Sequence, residues 1–160
     1  ERGKRLDDGI AAVRALWTQT PATYHGAYYN FDRVHSDPKP TRPGGVPIVI
    51  GGSTDAAARR AGRIGDGYFP HAVSPDEFAR LVEIMRQAAK DAGRDADGIE
   101  LTVQPWSWKF GATGDLGIMK TYAELGAARL VGNAHEAMST ELKDVERWVK
   151  TCMDTVFAKL

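Results

Sequence analysis

The sequence predicts an α/β protein with four strands alternating with helices around a parallel sheet. Three observations carry this reading. Short apolar or β-branched runs recur at 46–50, 66–70, 99–103 and 128–131. Each is followed by a segment whose apolar residues return at helical spacing. Turn and cap residues separate the two kinds of segment: Gly51-Gly52, Ser74-Pro75-Asp76-Glu77, Gly93 and Gly126. The residues alone leave two architectures open, a small open sheet and half of an eight-stranded barrel.

A leading helix precedes the first sheet strand. Leu6, Ile10, Val13, Leu16 and Trp17 recur at helical spacing, and Pro21 ends it. Residues 23–31 are rich in aromatics and read as a short hairpin turning at Gly26. Pro38, Pro40 and Pro43 then enforce an extended path. The run Val46-Pro47-Ile48-Val49-Ile50 suits a strand buried on both faces, with Pro47 tolerated only near its start. Ser53 or Thr54 caps an Ala-rich helix that Gly65 closes. Asp66 is expected to cap or orient backbone at the start of the second strand. Ser74, Pro75 and Glu77 form a capping box ahead of the stripe Phe78, Leu81, Val82, Met85 and Ala89. Ile99 to Val103 alternates as a third strand. A short helix follows over 115–125, then the fourth strand. The last helix carries Leu142, Val145, Trp148, Cys152, Val156 and Leu160.

Composition narrows the function classes. The 160 residues are 42% hydrophobic and 26% charged, with 21 basic and 21 acidic side chains and no net charge. That balance argues against a nucleic-acid partner, which selects a basic excess. No apolar run approaches a membrane span of roughly 18 residues, so no membrane partner is expected. A single cysteine, Cys152, fits a reducing, cytoplasmic setting. The chain opens on Glu1-Arg2-Gly3-Lys4-Arg5 rather than Met, which suggests part of something longer.

The sharpest chemical feature is Gly51-Gly52-Ser53-Thr54 at a strand-to-helix junction. Two glycines allow close approach to the backbone, the next helix presents unpaired N–H groups and a partial positive charge, and Ser53 and Thr54 add hydroxyls. Together they suit an anion, most naturally a phosphate. A tight turn with an ordinary N-cap explains the same residues. His71 sits just past a strand end, where parallel α/β folds bind ligands, and is a candidate substrate contact. Trp106 and Trp108, with Gln104, lie past the third strand and suit an aromatic wall; packing under their own loop is the alternative. His25, His35 and His135 lack metal-ligand spacing, so no metal is expected. Cys152 falls on an apolar stripe and reads as core.

Three segments carry a family resemblance. They are Arg2-Gly3 through Leu6-Asp7-Asp8-Gly9-Ile10 and on to Arg14-Ala15-Leu16-Trp17-Thr18; Phe31 with Pro38-Lys39-Pro40 and Pro43; and Pro47-Ile48-Val49-Ile50-Gly51-Gly52-Ser53 followed by Ala57-Ala58-Arg59-Arg60-Ala61 and Gly65-Asp66-Gly67-Tyr68. In this order they resemble the bacterial luciferase-like monooxygenase superfamily, closest to the branch that uses the deazaflavin coenzyme F420. The resemblance implies the C-terminal half of a TIM-type (β/α)8 barrel, with residues 1–160 as a single half-barrel domain and the N-terminal half, with most catalytic groups, absent. It implies coenzyme F420, with FMN as the alternative, and a parent oxidoreductase that transfers hydride or activates oxygen on a small organic substrate. Gly51, Gly52, Ser53 and Thr54 match the turn that contacts the cofactor's ribityl-phosphate side, and His71 falls where some deazaflavin enzymes place a substrate-anion contact. Catalytic residues remain unassigned, and the isolated chain is expected to be inactive.

A half barrel also has a physical consequence. Ile48, Ile50, Leu101, Val103 and Val131 would lose their partners on an uncovered inner face. At roughly 1.5–3 kcal/mol each, their exposure rivals the net stability of a domain. Self-association, or pairing with the missing half, is therefore expected. A non-catalytic phosphate-binding or self-assembling module is the alternative to an enzyme, and a flavodoxin-like sheet, with its different strand order, is the alternative fold.

Overall fold

The computed structural model describes residues 1–105 and 115–160. They form two compact units, Glu1–Pro47 and Ile48–Leu160.

In the first unit, helix α1 (Arg2–Thr18) is followed by an antiparallel hairpin of β1 (Ala22–His25) and β2 (Asn30–Val34). The helix buries Ile10, Ala12 and Ala15, while Leu6 and Val13 of the expected stripe stay exposed. The hairpin turn is organised by a carboxylate. Asp8 accepts from the Tyr24 hydroxyl at 2.6 Å and from the Tyr28 and Tyr29 amides at 2.8 and 3.0 Å. The Lys39 ammonium donates to the carbonyls of Leu16 and Gln19, both at 2.7 Å, which satisfies the end of α1.

The second unit holds the parallel sheet. Its strands are β3 (Val49–Gly51), β4 (Gly67–Phe69), β5 (His71–Val73), β6 (Glu100–Pro105) and β7 (Arg129–Leu130). The helices are α2 (Asp55–Ile64), α3 (Pro75–Asp91), α4 (Leu116–Glu124) and α5 (Leu142–Thr155), with a 3₁₀ turn at Ala134–Ala137 and another at Phe157–Lys159. β4 pairs with β6 through Tyr68↔Leu101, and β5 pairs with the same strand through His71↔Gln104. The two are thus one strand interrupted at Pro70. The spatial order is β3, β4/β5, β6, β7, every pair parallel. Successive strands are adjacent, as in half of a (β/α)8 barrel, and a flavodoxin-like order is excluded.

One expectation fails on the faces of this sheet. Ile50, Leu101 and Val103 do not lie on an uncovered inner face; they are buried at 4, 5 and 0% exposure. Register places Ile50, Tyr68 and Leu101 in one row, all buried, so this face lies under the helices. Ile48 shares its parity with Ile50, whereas Val131 falls on the other face with Arg129. That opposite face carries Val49, Gly51, Phe69 and Val131 together with the polar His71, Glu100, Thr102, Gln104 and Arg129. An apolar run in a strand does not say which alternate residues a single helical layer covers.

The helical layer is built around α2 and α3. Thr54 caps α2 by accepting from the Ala57 amide at 3.2 Å, and Ser74 caps α3 by accepting from the Glu77 amide at 3.3 Å. Ala57, Ala58 and Ala61 pack beside Phe78, Leu81, Val82 and Met85, all buried. The Arg94 guanidinium donates to the carbonyls of Gly62 and Gly65, both at 2.6 Å, closing the C-terminal end of α2. Asp66 behaves as expected, its carboxylate accepting from the Ile48 amide at 2.8 Å. The last helix follows expectation in part: Cys152 is buried, as is Val156 just past its end, but Leu142 and Leu160 stay exposed.

Candidate functional site

The glycine turn lies where β3 ends and α2 begins, at the C-terminal edge of the parallel strands. Gly52 has φ +121°, and a Cβ there would stand 3.1 Å from Ala57 Cβ. Only glycine fits this conformation without strain. A Cβ at Gly51 would meet nothing nearer than the Phe69 carbonyl at 3.9 Å, so that position borders open space.

The fold uses part of the expected donor set for itself. The Gly52 amide donates to the Phe69 carbonyl at 3.1 Å, and the Gly52 carbonyl accepts from the Tyr68 hydroxyl at 3.0 Å. Ser53 Oγ accepts from the His71 amide at 3.1 Å and donates to the His71 carbonyl at 2.7 Å. The Ser53 hydroxyl proton is therefore committed to backbone. Thr54 Oγ1 accepts from Ala57 but keeps its own proton. The amides of Ser53 and Thr54 bond to no described residue. An anion at this turn would meet those two amides, the Thr54 hydroxyl and the positive end of α2.

Charge around the turn is arranged by Arg80 on α3. Its guanidinium donates to Asp55 in the first turn of α2 and to Glu77, each at 2.8 Å. These bonds hold the Asp55 and Glu77 carboxyls below the usual carboxylate range and push the guanidinium further up. All three groups are solvent-facing, so the network is screened. Its role is to neutralise the carboxylate nearest the glycine turn. Tyr68, fully buried, has its phenol pushed well up, mainly by burial, and stays a neutral donor to Gly52.

His71 stands within the sheet rather than just past a strand end, because the strand continues beyond Pro70 to Val73. It is exposed and pairs in register with Gln104. Ala72 beside it has φ +52°, and the register shifts there, the signature of a bulge. The structure thus brings Gly51, Gly52, Ser53, Thr54 and His71 to one edge. Trp106 and Trp108 lie outside the described residues. Asn133 accepts from the His135 amide at 3.0 Å, an ordinary cap. Among the described residues no group of His, Cys, Asp and Glu is placed to hold a metal, and no helix is long and apolar enough to cross a membrane. Sequence reasoning missed Tyr68 and Arg80 as supports of the turn. Tyr68 lay inside an apolar strand run, and Arg80 reaches Asp55 across 25 positions of sequence, so neither left a local signal.

The luciferase-like monooxygenase family model matches residues 1–105. The chain belongs to that family. Among its relatives, the F420-dependent glucose-6-phosphate dehydrogenase of Nakamurella multipartita is 34% identical over 106 residues, which is 65% of this chain and 31% of that protein. The FMNH(2)-dependent dimethylsulfone monooxygenase of Pseudomonas putida is 33% identical over 93 residues, 58% of this chain and 26% of that one. A solved F420-dependent secondary alcohol dehydrogenase, in complex with an F420-acetone adduct, superposes with a TM-score of 0.59 at 25% identity, covering 64% of this chain and 31% of that one. The chain spans about a third of the length of the curated relatives it matches. The fold and family expected from the sequence are therefore both found.

Proposed function

We propose that this chain supplies the phosphate-gripping part of a flavin- or deazaflavin-dependent oxidoreductase of the luciferase-like type, with coenzyme F420 as the cofactor and FMN as the alternative. The observation that carries this is the Gly52 turn: a positive-φ glycine opening onto two amides at the start of α2 that bond to no described residue. The F420- and FMN-dependent relatives support the same reading.

The residues present fit a phosphate tail. The Ser53 and Thr54 amides and the Thr54 hydroxyl would bind it, Tyr68 and Ser53 would hold the turn in place, and Arg80 would mask Asp55. When bound, the cofactor supplies hydride or electron transfer; this chain's groups supply grip and orientation. Catalytic groups for the parent are not assigned to this chain. Binding without turnover is expected of the 160 residues alone, and that outcome separates a grip module from a complete catalyst.

The test is fluorescence titration of the chain with F420 and with FMN, beside the Gly52→Val variant. Valine at φ +121° would crowd Ala57 and block approach to the amides. Affinity is expected to fall at least tenfold, about 1.4 kcal/mol, with circular dichroism confirming that the variant folds. Equal affinity in both proteins rejects the assignment.

A further inference from the structure

We infer that the seam between α2 and α3 binds a linear polyphosphate group, gripped by Arg59, Arg60 and Arg63 on the solvent side of the helical layer. A groove of about 420 Å³ opens there, lined on α2 by these three arginines and on α3 by Asp91. The small side chains of Ala56, Ala88 and Ala92 line the rest of it. A Cβ at Gly62 would stand 2.9 Å from Ala88 Cβ, so the helices meet closely at this joint and the long arginines rise beside it. The whole chain has no net charge, which makes three guanidiniums within residues 59–63 a local concentration.

Two ordinary uses of such arginines are already filled. Basic residues late in a helix complete its last carbonyls and offset its dipole, but Arg94 takes the carbonyls of Gly62 and Gly65, both at 2.6 Å. A basic residue four places after an acidic one serves an ion pair on the helix, but Arg59 stands 4.0 Å from Asp55, whose nearer partner is Arg80 at 2.8 Å. Arg59 is itself 58% exposed. Arg60 and Arg63 make contacts within the fold, and a guanidinium fork carries donors beyond a single contact. Asp91 is the one carboxylate among the lining residues, and it accepts from the Gln87 amide at 2.7 Å. Three cations against one carboxylate leave the groove an excess of two positive charges. Residues 106–114 contain no carboxylate to offset them.

The arrangement of the charges selects the ligand. Guanidinium forks match phosphate oxygens in pairs. Arg59 and Arg63 lie about 6 Å apart along the helix axis, with Arg60 beside them, so positive charge repeats along the seam instead of converging on one point. A chain of phosphates repeats its negative charge in the same way, whereas a single phosphate engages one fork. Alanine side chains offer no hydrogen bonds to a sugar or a base, so recognition falls on the phosphate chain, free or carried by a nucleotide. The arginines lead away from the glycine turn, Arg63 lying roughly 12 Å further along α2 than Asp55. The inference is independent of the cofactor reading.

The experiment is a heteronuclear NMR titration of the chain at low salt with inorganic tripolyphosphate, with ATP and with inorganic phosphate. Tripolyphosphate is expected to give saturable shifts at the Arg59 and Arg63 side-chain N–H groups and at the Ala88 and Ala92 amides. ATP should match its affinity within about threefold, and single phosphate should bind the groove about tenfold more weakly. Binding should weaken as salt is added. Shifts at the Ser53 and Thr54 amides report the glycine turn instead, and Gly52→Val is expected to remove those and leave the groove shifts in place. In Arg59→Gln with Arg63→Gln, both exposed positions, tripolyphosphate affinity should fall about tenfold with the melting temperature held. Asp91→Asn should raise affinity about threefold, a gain that a purely structural contact does not produce. Shifts confined to the glycine turn, equal affinity for single phosphate, or unchanged affinity in the arginine and Asp91 variants overturn the proposal. ATP binding far tighter than tripolyphosphate assigns recognition to the nucleoside and also overturns it. Loss of F420 and FMN binding with the groove intact removes the cofactor reading alone.

Discussion

Asp8 shows how much one side chain decides in this chain. It stands on α1, yet it supplies the acceptor for three donors of the hairpin, the Tyr24 hydroxyl and the Tyr28 and Tyr29 amides. Those bonds, led by the Tyr24 hydroxyl, hold its carboxyl below the usual carboxylate range. The sign of the pH dependence follows. A carboxyl whose folded pKa is depressed stabilises the fold fully above its unfolded value, near 3.9, and the contribution disappears as pH falls through the folded value. The hairpin is expected to loosen on acidification before the sheet does. Near-ultraviolet circular dichroism of the tyrosines, followed from pH 7 downward, should lose signal below about pH 4. Asp8→Ala should show the loosened spectrum at neutral pH. A tyrosine signal that persists in Asp8→Ala shows the hairpin to be held by other contacts.

At the scale of elements, the pairing of α2 with α3 is the tightest joint. A Cβ at Gly62 would run into the Met85 carbonyl, the Ala89 amide and Ala88 Cβ, so the helices meet there backbone to backbone. Gly62→Ala forces them apart, an overpacking cost of about 1–3 kcal/mol. Thermal denaturation should record a drop of several degrees, and an unchanged midpoint would show that the helices slide at no cost. Much of this layer was legible in the sequence. Ser74-Pro75-Asp76-Glu77 announced the start of α3, and the stripe from Phe78 to Ala89 announced its buried side, because capping and periodicity are local. The glycine turn was legible for the same reason. What stayed hidden depended on register. The continuation of the second strand through Pro70 to Val73, the bulge at Ala72 and the pairing of His71 with Gln104 arise from how β6 lies beside its neighbour. Glu77 was read as half of a capping box, but its carboxylate is taken by Arg80, which also spans to Asp55. Contacts between distant segments leave no period to read.

At the scale of the whole molecule, the sheet is parallel and sequential but does not close on itself. β3 has β4 as its partner and β7 has β6, which leaves one side of each strand unpaired among the described residues. Open strand edges template pairing with another chain. The apolar inner face first expected to drive this is absent, since Ile50, Leu101 and Val103 are covered. What the described residues leave open is the strand edges and, on the last helix, Leu142 at 71% and Met153 at 53% exposure, with Met138 of the preceding turn at 74%. We propose that the chain self-associates through these surfaces, so sedimentation velocity is expected to show a mass above the monomer that rises with concentration. Two variants divide the contributions. Val49→Lys places a charge on the β3 edge and should weaken an edge-paired assembly. Leu142→Glu with Met153→Glu should weaken one built on the helix. A compact monomer at every concentration, with no apolar dye binding, rejects both routes. It would also mean that the inner face, with its Glu100–Arg129 pair, is stable in water without a second half.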